Sequence, residues 1–129
     1  MHGWLTAAEA AALRELALGQ HVLEVGGWRG LSTSHLAAVA LHVTTVDWWR
    51  GDTYTEAVAG KTTWQQNLVA WLQALEGQPH AARVAPFVGD LRLLLPTLHP
   101  AHFGLTFYDA DHDPEPTRFF LQWAWTGAA

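Results

Sequence analysis

The fourteen residues from His21 to Ser34, HVLEVGGWRGLSTS, constrain this chain more than any other stretch. An apolar run (Val22, Leu23, Val25) stops at Gly26, Gly27 and Gly30. Ser32, Thr33 and Ser34 then open a second apolar segment, Leu36 to Leu41. The pattern reads as a buried strand, a glycine turn and a helix start. Glycine lets backbone approach a ligand closely, and a helix start leaves N–H groups unpaired. Nucleotide-like cofactors bind at such turns.

The segment that follows strengthens this reading. Val43-Thr44-Thr45-Val46 is β-branched and ends in Asp47. An acid about twenty residues past the turn is suited to hydrogen-bond a ribose diol. The glycine spacing is not GxGxxG, because Trp28 and Arg29 fill the middle. A plainer reading stands beside it: Gly26 and Gly30 allow a tight strand–helix connection, and Asp47 caps a loop.

The rest of the chain alternates in the same way. Thr6 and Glu9 form a capping box before a helix over Ala7 to Leu18, which Gly19 stops. Strand one is expected over His21 to Val25, a helix over Ser32 to Leu41 and strand two over Val43 to Asp47. Trp48 to Lys61 reads as a loop or short irregular helix, with Tyr54, Thr55 and Lys61 placed to act as a lid. Thr63 caps a helix over Trp64 to Leu75. Strand three is expected over Ala82 to Val88, a short helix after Asp90 and strand four over Gly104 to Tyr108. Pro114 opens a last helix to Trp125. Alternating strands and helices predict an α/β fold, a parallel sheet covered on both faces. One domain over residues 1–129 is expected from the length.

Composition sets bounds. Half the 129 residues are hydrophobic, enough for a core. A net charge of −5 argues against nonspecific nucleic-acid binding, which needs a basic face. The absence of cysteine removes disulfides and Cys-based metal sites, and fits a reducing cytoplasm. No apolar run is long enough to span a bilayer. The N-terminus has no basic region followed by an apolar block, so no secretory leader is expected.

The ordered set of motifs resembles class I S-adenosylmethionine (SAM) dependent methyltransferases, closest to the small-molecule, methyltransferase-24 type. Glu24 to Thr33 is similar to their first motif, E-x-G-x-x-x-G-x-S-T. Val46 to Asp52 is similar to V-D-x-W-x-G-D after strand two. Thr63 to Leu72 resembles the helix carrying an internal Asn. Phe87 to Asp90 resembles the G-D after strand three, and Phe103 to His112 the D-A-D-H strand four. The resemblance implies a Rossmann-like sheet in the order 3-2-1-4. It implies SAM held by Glu24, Gly26, Gly27, Trp28, Gly30, Ser32, Asp47, Trp48, Gly89, Asp90, Leu91 and Asp109. In that scheme Glu24 orients the amino-acid end, Asp47 takes the ribose, and Asp90 and Leu91 flank adenine. Trp48 is equally suited to stack on adenine or to pack in a core.

Asp109, Asp111, His112 and Asp113 follow strand four, and ionisable groups beside a buried strand are costly without a role. The resemblance places Asp109 and His112 near the transferred methyl, with His112 suited to be a general base. Asp109 and Asp111 are weak candidates for a divalent metal. The plainer reading makes the cluster a helix cap. His99 and His102 read as a solvated connector. The family normally continues for three more strands, so strand four is expected to be an edge that invites self-association into a homo-oligomer. The leading expectation is therefore methyl transfer to an oxygen of a small-molecule acceptor, driven by alignment more than by acid–base chemistry. A SAM-binding module without turnover is the alternative, and an NAD-binding fragment the weakest.

Overall fold

The computed structural model describes residues 5–51, 56–57, 60–110 and 113–126. Four strands form one parallel sheet in the order β3-β2-β1-β4. They are β1 (His21–Val25), β2 (His42–Asp47), β3 (Val84–Val88) and β4 (Leu105–Tyr108). Among the described residues, the helices with defined bounds are α1 (Ala7–Ala17), α2 (Leu31–Ala37), α3 (Trp64–Leu75), α4 (Leu91–Leu94) and α5 (Pro114–Thr126). The 3-2-1-4 α/β expectation is met.

Alternation along β1 assigns the two faces. Val22 packs with Leu13 and Ala17 of α1 and Leu36 and Ala37 of α2. Leu23 and Val25 point the other way, against Leu95, Phe120 and Trp123. Successive strand side chains alternate faces, so one apolar run feeds two cores. A third cluster, Trp49, Trp71 and Leu75, sits on α3.

The caps are as read. Thr6 Oγ1 accepts from the Glu9 N–H at 3.1 Å, and Glu9 returns the bond to the Thr6 N–H at 3.1 Å. Thr63 and Gln66 form the same box on α3. Each box contributes about 1 kcal/mol.

Two boundaries differ by two residues or more. Helix α2 ends at Ala37 and not at Leu41, because its end is drawn toward β1. Gly19 N–H donates to the Val39 carbonyl at 3.0 Å, and Leu41 N–H to the Gln20 carbonyl at 2.9 Å. Strand β3 starts at Val84 because Ala81–Arg83 forms a 3-10 turn, from which Arg83 donates to the Ala40 carbonyl at 3.0 Å.

Both β3 and β4 are edges of this sheet. Pro86 is tolerated in β3 for that reason, since an edge strand can lack one N–H. Past β4, α5 buries Phe120 and Trp123, while Leu121 and Trp125 stand in solvent at 58% and 91% exposure. Pro114, Thr117, Leu121, Gln122 and Trp125 line an open groove of about 890 Å³ along α5. Among the described residues no helix is long and apolar enough to cross a membrane.

Candidate functional site

The residues singled out by sequence gather just beyond the carboxyl ends of the four strands. Gly26 follows β1, Asp47 ends β2, Gly89 and Asp90 follow β3, and Asp109 follows β4. Parallel strands put these ends on one edge, where open α/β sheets bind ligands.

Glu24 lies behind that edge, fully buried. It is paired in register with Thr45 on β2, whose hydroxyl donates to Oε1 at 3.0 Å. From the start of α2, Ser32 donates to Oε2 at 2.6 Å and Thr33 to Oε1. Trp71 Nε1 of α3 donates to the Thr33 hydroxyl at 2.9 Å. One carboxyl thus joins β1, β2 and α2, and through Thr33 reaches α3. Burial pushes it up to about 7, opposed by the three hydroxyl donors and assisted by the charge of Asp47.

Asp47 shapes the turn from the other side. Its Oδ2 accepts from the N–H of Gly27 at 2.8 Å and of Trp28 at 2.9 Å, and Oδ1 from Trp49 N–H at 2.7 Å. Burial raises its pKa against these backbone donors, which favour the carboxylate.

The glycines are required by the chain's own packing. A Cβ on Gly26, whose φ is +102°, would lie 2.4 Å from the Asp109 carbonyl oxygen. On Gly27 it would meet Thr45 Cγ2 at 2.6 Å, and on Gly30 the Ala74 Cβ at 2.9 Å. The turn is pressed between the end of β4 and α3.

Adjacent tryptophans part company after β2. Trp48 is 39% exposed with the Arg50 guanidinium 4.1 Å from its ring centre, so the core-packing alternative for Trp48 is overturned. Trp49 is the buried one, fully enclosed, with Trp71 edge-on at 5.2 Å. Its Nε1 donates to the Trp28 carbonyl at 2.7 Å, and Asn67 Nδ2 donates to the Trp49 carbonyl at 2.7 Å. Sequence reasoning gave Trp49, Asn67 and Trp71 no role. The available signals were Trp49 as the Trp of V-D-x-W-x-G-D and Asn67 as an Asn on the apolar face of a helix, since a buried amide needs partners.

Asp90 caps α4 by accepting from Arg92 N–H at 2.9 Å, and pairs with the Arg92 side chain at 3.0 Å. That pairing holds its carboxyl below the usual range. Gly89 N–H donates to the Asp47 carbonyl at 3.0 Å, tying the ends of β2 and β3. Leu91 packs with Leu95 in the second core. Asp109 is exposed, and its N–H donates to the Val25 carbonyl at 2.8 Å. Asp111, His112, Tyr54 and Thr55 lie outside the described residues. Among the described residues no group of three or more His, Cys, Asp or Glu is placed to hold a metal.

Comparison with known proteins follows this geometry. A cofactor-bound structure of Rv0187 from MTB superposes with a TM-score of 0.73 at 28% identity, over 100% of this chain and 54% of that one. The O-methyltransferase TomG from Streptomyces achromogenes, involved in Tomaymycin synthesis and solved with SAM, superposes at 0.70 and 20% identity, over 98% of this chain and 53% of that one. The 23S rRNA methyltransferase ErmE shares the fold at a TM-score of 0.52 and 21% identity, over 94% of this chain and 42% of that one. The chain thus spans about half the length of the first two. A search of curated proteins found no match. The family model described as a methyltransferase domain matches residues 23–129, and the chain belongs to that family.

Proposed function

We propose that this chain binds SAM along the carboxyl edge of its sheet and transfers the methyl group to an oxygen of a small-molecule acceptor. The observation that carries this reading is the convergence of the Gly26–Gly30 turn, Asp47, Gly89-Asp90-Leu91 and Asp109 on one edge, in a chain of the methyltransferase-domain family. The sulfonium is already an activated donor, so the protein's task is alignment and exclusion of water. Asp47 takes the ribose diol. Glu24 is buried and acts through Ser32 and Thr33, which open α2 beside the amino-acid end of the cofactor. Exposed Trp48 stacks on adenine, near Asp90 and Leu91. Asp109, which follows β4 at that edge, and His112 are the residues we assign to the acceptor. The family match favours SAM over NAD.

Titration calorimetry with SAM, S-adenosylhomocysteine and NAD tests the cofactor. Asp47→Ala removes a charge-assisted acceptor, at a cost of roughly 1.5–3 kcal/mol. It is expected to weaken SAM binding by about ten- to a hundredfold, and unchanged affinity would remove Asp47 from the site. Turnover of labelled SAM against phenols, catechols and sugars, with and without magnesium, tests the reaction. Asp109→Asn and His112→Ala should lower turnover far more than SAM affinity. Clear SAM binding with no transfer to any acceptor would favour a binding module.

We also propose that the β4–α5 side self-associates in a cytoplasmic homo-oligomer. Its support is the position of β4 at the edge of the sheet among the described residues, beside exposed Leu121 and Trp125. Light scattering should give a mass above the monomer that Trp125→Glu reduces. A strict monomer at high concentration would refute it.

A further inference from the structure

Trp28 and Trp49 are the two non-glycine residues with positive φ among the described residues, at 46° and 58°. Left-handed backbone costs a bulky residue roughly 1–2 kcal/mol. Such conformations persist where surroundings over-determine them, and here the determinants are visible. Both N–H groups donate to the Asp47 carboxylate, at 2.9 and 2.7 Å. Both carbonyls accept from buried side chains: Trp28 from Trp49 Nε1, and Trp49 from Asn67 Nδ2, each at 2.7 Å. Every backbone polar group of this pair is therefore held. Trp49 and Asn67 are both fully buried, so neither reaches a ligand in the crevice.

We infer that Trp49 and Asn67 are positioning residues: they clamp the Trp28 carbonyl and so hold the Gly27–Gly30 turn in its cofactor-binding shape before any cofactor arrives. The functional half of this inference rests on the SAM reading above. The chain of contacts runs from α3 to the turn. Asn67 fixes Trp49, Trp49 fixes Trp28, and Asp47 fixes the N–H side of both. Arg29 supplies a further tie, with Nη2 3.5 Å from Asn67 Oδ1. Without the clamp the turn would relax toward ordinary backbone, and the N–H groups of Gly27 and Trp28 would leave Asp47. Binding would then have to order the turn, and the apparent affinity falls with the fraction of chains already in the competent shape.

Two variants of the full chain test this. Trp49→Phe keeps an aromatic ring against Trp71 but loses the Nε1 donor together with part of the buried indole, so its general stability cost is read at β1 and separated from the turn. Asn67→Ser shortens the donor to the Trp49 carbonyl and serves if the first variant folds poorly. Amide hydrogen exchange without cofactor reads the turn directly. Protection of Gly27 and Trp28 should fall by about tenfold, the loss of one buried hydrogen bond, beyond any change at Val22 and Leu23 on β1. The dissociation constant for SAM should rise by about tenfold, with turnover at saturating SAM unchanged. Turn protection that falls only in step with β1, or not at all, overturns the inference. So does unchanged SAM affinity alongside a parent chain that binds it. If the parent binds no SAM, the cofactor reading fails, and the exchange result alone decides whether the clamp exists.

Discussion

Gly26→Ala is expected to cost about 4 kcal/mol of folding stability, enough to leave a small domain largely unfolded. Two effects add. Alanine at φ +102° sits where L residues are strained, at roughly 1–3 kcal/mol. Its Cβ would also lie 2.4 Å from the Asp109 carbonyl oxygen and 2.6 Å from Ala110 Cα. Both are backbone atoms at the end of β4, so nothing flexible can yield, and forced overpacking costs a further 1–3 kcal/mol or so. Urea denaturation measures it. Gly60→Ala is the control, because that glycine also has positive φ but nothing within 4 Å of a Cβ. It should cost only about 1–2 kcal/mol, the left-handed backbone penalty alone. Equal losses for the two would show that the contact with β4 is not what requires a glycine at Gly26.

The second large effect is a pH dependence. Folded Glu24 titrates at about 7, raised from 4.5 by burial. Between those values the folded chain holds a proton that the unfolded chain has released. Stability therefore falls as pH rises from about 4.5 to about 7, and levels off above. A shift of this size corresponds to about 3 kcal/mol over that window. Glu24→Gln has no such proton. Its Oε1 can accept from Thr33 and Thr45, and its Nε2 can donate to Ser32. Its stability relative to the parent should thus rise by about 3 kcal/mol between pH 4.5 and pH 8. Denaturant unfolding at both pH values checks this, and a difference independent of pH would place the folded carboxyl near its ordinary value.

Much of the fold was legible in the sequence because its signals are local. Thr6 with Glu9 and Thr63 with Gln66 mark helix starts through contacts three residues apart. The turn from Gly26 to Gly30 announces itself by composition. The end of α2 was not legible, since the bonds that draw it away come from Gly19 and Gln20, twenty residues upstream. The pair Trp48-Trp49 defeats pattern reading for a different reason. Strand alternation stops at Asp47, so no period says which ring turns inward. The left-handed backbone at Trp49, which sends that ring against Trp71, is set by Asp47 and Asn67 from elsewhere in the chain. Asp47 itself was legible as an acid at the right place. That its oxygens gather three backbone N–H groups was not, because those partners are peptide groups and carry no sequence signature.

The glycine turn is built by residues far apart along the chain. Gly26 N–H donates to Val46, Asp109 N–H to Val25, and the Gly26 surface is completed by Asp109 and Ala110. During synthesis these contacts cannot be completed until β4 has emerged and docked. Hairpin-like local closure is unavailable to the turn. A ligand that recognises this turn therefore recognises the assembled sheet, and its binding energy adds to the cooperative unfolding of all four strands.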